Sequence, residues 1–148
     1  MKGFQFYQDK ANEWRWRLRD GNQEIVADSA EGYEQKADCE KGAQLFTTLG
    51  PDAPERKVAE FSTVGQGPEW EYFEDTKQEW RWRFQAKNNK VLADGSEGYV
   101  SESNVKRAIT NVKSLLREIG NSGGSGAGSY VPPVVGGGTT NSGGGRFA

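Results

Sequence analysis

Hydrophobic and polar residues alternate strictly along two short segments of the chain. Residues 14–19 read WRWRLR and residues 80–85 read WRWRFQ, so the apolar side chains share one face and most arginines share the other. A period of two residues is typical of a strand with one buried face. Both segments are therefore predicted to be half-buried β-strands.

Further strand signals flank each of these segments. A short aromatic run precedes each one, at residues 4–7 and 70–73, and a short apolar run follows each one, at residues 25–27 and 91–93. Asp, Asn, Gly and Lys lie between the runs and favour tight turns, some with positive φ. Each unit is therefore predicted to begin with a three-stranded meander.

The period lengthens at the end of the second unit. Apolar residues from Val105 to Ile119 recur at helical spacings, which predicts an amphipathic helix. Ser101 suits its N-cap, Val100 is placed to pack against Val105 as a hydrophobic staple, and Gly120 is predicted to end the helix. Residues 35–49 are predicted to form the equivalent helix, although Gly42 interrupts it at a cost of roughly 1 kcal/mol.

The two units are copies of one sequence. EWRWR begins at Glu13 and at Glu79, and EGY recurs at the same separation of 66 residues. The predicted organisation is repeat one at residues 1–49, a connector at 50–69 and repeat two at 70–119. A three-stranded sheet with one helix has little core of its own, so the repeats are expected to pair.

The predicted fold is α+β, with two tandem β-β-β-α repeats forming a single antiparallel sheet and both helices packed on one face. The pairing gives a monomer with an internal pseudo-two-fold axis. Tryptophan and tyrosine supply most of its predicted core, because each aromatic side chain removes about 150–250 Å² from water. The predicted core aromatics are Trp14, Trp16, Trp80, Trp82, Tyr33 and Tyr99.

The composition changes after Ile119. Residues 120–148 hold more than half of the chain's 20 glycines and only one charged residue, Arg146. Such a segment buries too little apolar surface to offset its ordering entropy, so a disordered Gly/Ser-rich tail is predicted. Its apolar run at residues 130–135 is read as part of this linker, with a short docking segment as the alternative.

The composition excludes much enzyme chemistry. The chain of 148 residues has no histidine and one cysteine, Cys39, which removes His-based acid–base catalysis and His or multi-Cys zinc sites. Cys39 falls on the apolar stripe of its helix and is read as a small buried side chain. The prediction is a protein that is not an enzyme, with no cofactor and no metal.

Charge and hydropathy constrain the partners. With 19 basic and 21 acidic residues the net charge is -2, and the mean hydropathy is -0.84. No segment resembles a signal peptide or a membrane span, and an unpaired cysteine suits the cytosol. A cytoplasmic binding or scaffold module with an unknown protein partner is predicted, with no membrane association.

The arginine face of the predicted sheet is the candidate ligand surface. Arg15, Arg17, Arg81 and Arg83 point away from the tryptophans and are placed to contact an anionic ligand. Single-stranded nucleic acid is the alternative partner. The favoured interpretation is structural: these arginines pair across strands with carboxylates such as Glu24 and Glu71.

Two pairs of carboxylates are also candidates for chemistry. Asp28 with Glu31, and Asp94 with Glu97, have a three-residue spacing that suits acid–base work or a cation. No third ligand accompanies either pair. The favoured interpretation is that they cap turns.

In EWRWR, the EGY element and the following helix, the chain resembles the YegP-like family over roughly residues 4–49 and 70–115. The resemblance implies one antiparallel sheet of β-β-β-α units whose helices pack across a pseudo-symmetric partner, as in a covalently linked dimer. It implies no catalytic residues, because the family has no established biochemical role.

Overall fold

The computed structural model describes residues 3–62, 67–87 and 90–122, which form seven strands and two α-helices. A short 3₁₀ turn, Gly50–Asp52, follows the first helix. The helices are α1 (Lys36–Leu49) and α2 (Glu102–Ser122). The strands are β1 (Phe4–Gln8), β2 (Trp14–Arg19), β3 (Ile25–Ser29), β4 (Glu55–Lys57), β5 (Glu69–Glu74), β6 (Trp80–Gln85) and β7 (Val91–Asp94).

All the strands belong to one sheet, in the order β1-β2-β3-β7-β6-β5-β4. The two meanders join through β3 and β7, which pair antiparallel at the centre. This confirms the α+β fold and the pairing of the repeats in one sheet. The sheet is mixed rather than wholly antiparallel, because β4 lies in the predicted connector and pairs parallel with β5.

Three hairpin turns share one construction. An aspartate Oδ1 accepts hydrogen bonds from the backbone amides two and four residues later, at 2.8–3.0 Å. The residue three positions after the aspartate takes a φ of 63° to 67°. In the second turn this residue is Gln23, not the neighbouring glycine or asparagine. The aspartates are Asp9, Asp20 and Asp75, and the residues with positive φ are Asn12, Gln23 and Gln78.

The helices begin close to where the sequence predicts them to begin. Ser101 caps α2, since its hydroxyl accepts a hydrogen bond from the Asn104 amide at 3.1 Å. The predicted staple is wrong, because Val100 is 87% exposed. The predicted end is also wrong, because α2 continues through Gly120 to Ser122.

Phe46 of α1 stands at the centre of the core. Its ring centroid lies 5.6 Å from that of Trp16 in its own repeat. It also lies 5.5 Å from Trp70, 6.4 Å from Trp82 and 5.3 Å from Phe84, all in repeat two. The first helix therefore packs on both repeats.

The far end of α2 reaches back to repeat one. A β-carbon placed on Gly3 would lie 3.1 Å from a methyl of Leu18 and 3.2 Å from a methyl of Ile119. Gly3 also has a φ of 82°, which favours glycine. Each helix thus helps to close the core of the other repeat, as the family resemblance implies.

The six predicted core aromatics occupy two levels of burial. Trp16 and Trp82 are almost wholly buried, at 0% and 1% exposure. The other four are half-buried and pack against the core as matched pairs: the backbones of Trp14 and Tyr33 bond to each other, and those of Trp80 and Tyr99 do the same.

The glycine of each EGY element is required by a close approach. A β-carbon on Gly32 would lie 2.8 Å from the β-carbon of Glu13, and one on Gly98 would lie 2.9 Å from the β-carbon of Glu79. EGY and the glutamate of EWRWR are therefore in contact, which explains why they recur together.

Candidate functional site

A row of polar side chains crosses the whole sheet on the face opposite the helices. Each member is the direct cross-strand partner of the next, so the order follows from the strand register. The row contains both arginines and carboxylates, and it includes the predicted cross-strand pairing of an arginine with Glu71. From β1 to β4 the row is Gln5, Arg17, Asp28, Asp94, Arg83, Glu71 and Arg56.

Two of the four predicted arginines hold turns in place. Arg15 Nε donates to Asp9 Oδ2 at 2.6 Å, and Arg81 Nε donates to Asp75 Oδ2 at 2.8 Å. The hydrogen bond from Arg15 lowers the pKa of the Asp9 carboxyl. These guanidinium groups fasten the β1–β2 and β5–β6 turns and are engaged within their own repeats.

Arg83 is enclosed by polar partners. Its Nε donates to Glu71 Oε1 at 2.7 Å, its Nη1 donates to the Glu60 carbonyl at 2.6 Å and its Nη2 donates to the Ser62 carbonyl at 3.2 Å. Its guanidinium also lies 4.8 Å from the Phe73 ring. The connector therefore folds over the arginine face of repeat two.

Arg17 is the equivalent residue of repeat one, and its surroundings differ. Its guanidinium stacks 4.1 Å from the Tyr7 ring, as Arg83 does on Phe73. The neighbour on β1 is Gln5, where repeat two has Glu71. The buried Nε of Arg17 has no hydrogen-bond partner within the described ranges. Of the four predicted arginines, Arg17 is the one with a buried side-chain nitrogen that lacks a hydrogen-bond partner among the described residues.

Asp28 and Asp94 face each other where the two repeats join. Burial raises the pKa of Asp94 to about 6, and the neighbouring Asp28 carboxylate acts in the same direction. Burial also raises the pKa of Asp28, against the attraction of Arg17. The carboxylate pairing that the sequence offered with Glu31 is absent from this arrangement, because Glu31 lies instead 3.7 Å from Lys90.

The described residues contain no cluster of three or more metal-ligating side chains. Cys39 is fully buried, and burial raises the pKa of its thiol to about 12. The Tyr33 hydroxyl is buried against Gly42 and finds no hydrogen-bond partner within those residues. Neither described helix is long and apolar enough to span a membrane.

The first strands of the two repeats, β1 and β5, have different neighbours in the sheet. The β4 strand covers β5, in which every residue but the last is buried. Among the described residues nothing pairs with the outer side of β1, in which Gln5 and Gln8 are exposed. This open edge was not recognised from the sequence. The signal available in the sequence was Gln5, which stands where repeat two has Glu71. Arg17 therefore lacks the carboxylate that pairs with Arg83.

The sequence matches a family model described as a domain of unknown function (DUF1508) twice, at residues 9–55 and 75–117. A UPF0339 protein of Treponema denticola is 44% identical over 50 residues, which are 34% of this chain and 84% of that protein. A UPF0339 protein in the ptx operon 5' region of Stutzerimonas stutzeri is 28% identical over 123 residues, covering 80% of this chain and 96% of that protein.

A solved structure has the same fold. The protein of unknown function yegP from E. coli superposes with a TM-score of 0.59 at 19% identity, over 76% of this chain and 84% of that chain. The match to a relative about one repeat in length and the match to a relative of nearly full length both agree with the internal duplication. The chain therefore belongs to the DUF1508 family, a YegP-like family of unknown function, and carries two copies of its repeat.

Proposed function

We propose that the protein is a non-enzymatic binding module that takes up an extended peptide segment of a partner protein along β1. The observation that carries the proposal is the connector: it occupies, in repeat two, the edge and face that are open in repeat one. The connector thus serves as an internal example of the ligand.

The connector binds β5 through its backbone. Trp70 donates its amide hydrogen to the Pro54 carbonyl at 2.8 Å, and the Val58 amide donates to the Tyr72 carbonyl at 2.9 Å. Addition of a strand to a free sheet edge is a common mode of peptide recognition, because the main-chain hydrogen bonds do not depend on peptide sequence. The equivalents of Trp70 and Tyr72 on β1 are Phe4 and Phe6, 66 residues earlier.

The side-chain charges near β1 favour a peptide with an acidic residue. On β4, Arg56 lies opposite Glu71 and donates to Glu69 at 2.7 Å. At the corresponding place on β1 the partner is neutral Gln5, and beside it lies Arg17, whose buried Nε has no hydrogen-bond partner among the described residues. An acidic peptide side chain at the Arg56 position would lie beside neutral Gln5, two strands from Arg17, where the positive guanidinium attracts its carboxylate. The expected ligand is therefore an extended peptide with a central glutamate.

A binding role is also supported by the chemistry of the chain. It has no histidine, and the raised pKa of Cys39 keeps that thiol protonated at neutral pH, which makes it a poor nucleophile. The carboxylates of the sheet face lie beside arginines, and the described residues contain no cluster of three or more metal-ligating side chains.

The test uses the connector as the probe. A nine-residue peptide with the sequence of residues 54–62 is compared with the same peptide carrying Arg56→Glu, each titrated into the full chain at low salt. We expect amide chemical-shift changes at β1 and about two- to fivefold tighter binding of the glutamate peptide, the range of an exposed ion pair. A third peptide with Val58→Pro lacks the donating amide and is expected not to bind.

Matched variants of the protein sharpen the test. Gln5→Glu gives repeat one the carboxylate of repeat two and is expected to reverse the preference toward the arginine peptide. Arg17→Gln is expected to remove the preference without removing backbone binding. Equal binding of the Val58→Pro peptide, or shifts that avoid β1, would overturn the proposal. Shifts at β1 that depend on protein concentration alone would assign the edge to a second copy of the chain instead.

A further inference from the structure

A cavity of about 330 Å³ lies between α2 and the β2–β3 hairpin of repeat one. Its volume is in the range of small-ligand sites. It belongs to the helix side of the sheet, so it is separate from the β1 edge and the polar row. The apolar part of its lining consists of Val26, Tyr99, Ala108, Val112 and Leu115.

The other repeat shows why space remains at this place. The equivalent of Val112 is Phe46, and the equivalent of Val26 is Leu92. Phe46 is fully buried among four aromatic rings, and Leu92 is 2% exposed. The smaller valines therefore provide less side-chain volume beside α2 than their counterparts provide beside α1.

The rim of the cavity is acidic. Glu24 and Glu97 lie on it, and neither makes an ion pair within the described residues. At the equivalent place Lys90 replaces Glu24 and lies 3.7 Å from Glu31, the counterpart of Glu97. Two like charges replace an ion pair at the mouth of the cavity. This arrangement favours a positively charged guest between the two carboxylates.

The remaining charged groups of the rim are Asp20 and Arg107. Asp20 Oδ1 already accepts two backbone hydrogen bonds, from Asn22 and Glu24. Arg107 Nη1 donates to Asn104 Oδ1 at 3.0 Å. Three carboxylates against one guanidinium leave the rim with a net negative charge.

We propose that this cavity binds a small amphiphilic organic cation, with its ammonium group between Glu24 and Glu97 and its apolar body against Val112 and Leu115. The hydroxyl-bearing ring of Tyr99 adds an aromatic surface suited to a cation. Both halves of the ligand are needed, because the floor of the cavity is apolar and its mouth is charged.

Three probes of similar size separate charge from shape. 2-Phenylethylamine, 2-phenylethanol and 3-phenylpropionate are titrated into the full chain, and the methyl chemical shifts of Val26, Val112 and Leu115 are followed. We expect the amine to bind at least about tenfold more tightly than the alcohol, and the carboxylate to bind least. Tighter binding of the carboxylate, or equal binding of all three, would overturn the proposal.

Variants that introduce the equivalent residue of the other repeat test the location. Val26→Leu with Val112→Phe is expected to fill the cavity and abolish the methyl shifts. Glu24→Lys is expected to weaken amine binding at least about tenfold, because it restores an ion pair across the mouth. Glu118→Lys makes the same change in net charge on α2 outside the lining and is expected to bind as the parent does.

The two variants keep the test decisive. If the double substitution prevents folding, judged by loss of the dispersed amide spectrum, Glu24→Lys still decides the outcome. Retained amine binding by a folded double variant, or by Glu24→Lys, would overturn the proposal. Loss of binding in Glu118→Lys to the same degree would show a general charge effect and would likewise overturn it.

Discussion

The first strands of the two repeats, β1 and β5, have related sequences and different surroundings. Five of six residues in β5 are buried, including Glu71, whereas β1 buries only Phe4. The difference comes from the connector, which lies outside the repeat and covers one copy alone. Sequence similarity between repeats therefore identifies the fold of each unit, while the chain between them decides which unit presents a surface.

The core shows a second asymmetry. Phe46 in α1 and Val112 in α2 occupy equivalent positions, yet only Phe46 joins the aromatic cluster. The large Phe46 side chain fills the middle of the core, whereas the smaller Val112 lines the cavity beside α2. The core aromatics at the centre of the sheet are therefore covered mainly by α1, the helix of repeat one.

The largest expected effect is the loss of stability when the core side chain at this position is truncated. Phe46→Ala removes a fully buried ring and is expected to lower the free energy of unfolding by about 3–5 kcal/mol. Val112→Ala removes less and is expected to lower it by about 2 kcal/mol. Urea denaturation followed by tryptophan fluorescence compares the two. Equal losses would contradict the central role of Phe46.

The next effect compares the two stacked arginines. Arg83→Gln removes the shorter of two ion pairs made by the buried Glu71, leaving Arg56 Nη2 at 3.5 Å, and is expected to cost about 2–3 kcal/mol. Arg17→Gln removes no ion pair and is expected to cost less than about 1 kcal/mol. Chemical denaturation of both variants measures the difference. Adding Glu71→Gln to the Arg83 variant should recover part of the loss, and failure to do so would point to the carbonyl contacts instead.

The smallest effect concerns Asp94 and depends on pH. A carboxyl whose pKa is about 6 in the folded state and about 4 when unfolded binds its proton more tightly when folded, so stability falls as pH rises from 4 to 6. Asp94→Asn is therefore expected to raise stability at pH 7 by about 1–2 kcal/mol and to change it little at pH 4. Thermal unfolding at the two pH values, beside an exposed control such as Glu34→Gln, tests this. An equal change at both values would show that charge is not the cause.

The sequence alone was sufficient for the elements that repeat. Strict alternation predicted β2 and β6, and the 66-residue shift predicted the pairing of two β-β-β-α units in one sheet. The helical stripe of the first repeat was weaker because of Gly42. The structure explains that residue: a β-carbon there would lie 2.5 Å from the Tyr33 hydroxyl oxygen.

Features that depend on distant contacts were not predicted. The β4 strand has three exposed residues and a proline before it, so it carries no periodic signal and exists only because β5 offers a partner. The arginine face also looked uniform in sequence. Which arginine is held by hydrogen bonds depends on acceptors that are distant in sequence, such as the Glu60 carbonyl for Arg83. The predicted domain boundaries at 50–69 and the nucleic-acid alternative stay predictions, and residues 123–148 of the predicted tail lie outside the described residues.

The contact of Ile119 with Gly3 joins the last turns of α2 to the beginning of the chain, and this sets an order for biosynthesis. Repeat one leaves the ribosome about 70 residues before Ile119, a delay of roughly 4–14 s at ordinary translation rates. During that interval Phe46 lacks its three aromatic contacts in repeat two and the β3 edge is unpaired, so that two nascent chains on one message could pair through these surfaces. Covalent linkage of the second copy opposes this exchange, because a tethered partner arrives at high effective concentration. Duplication in one chain therefore directs the first repeat to its own second half rather than to a neighbouring chain.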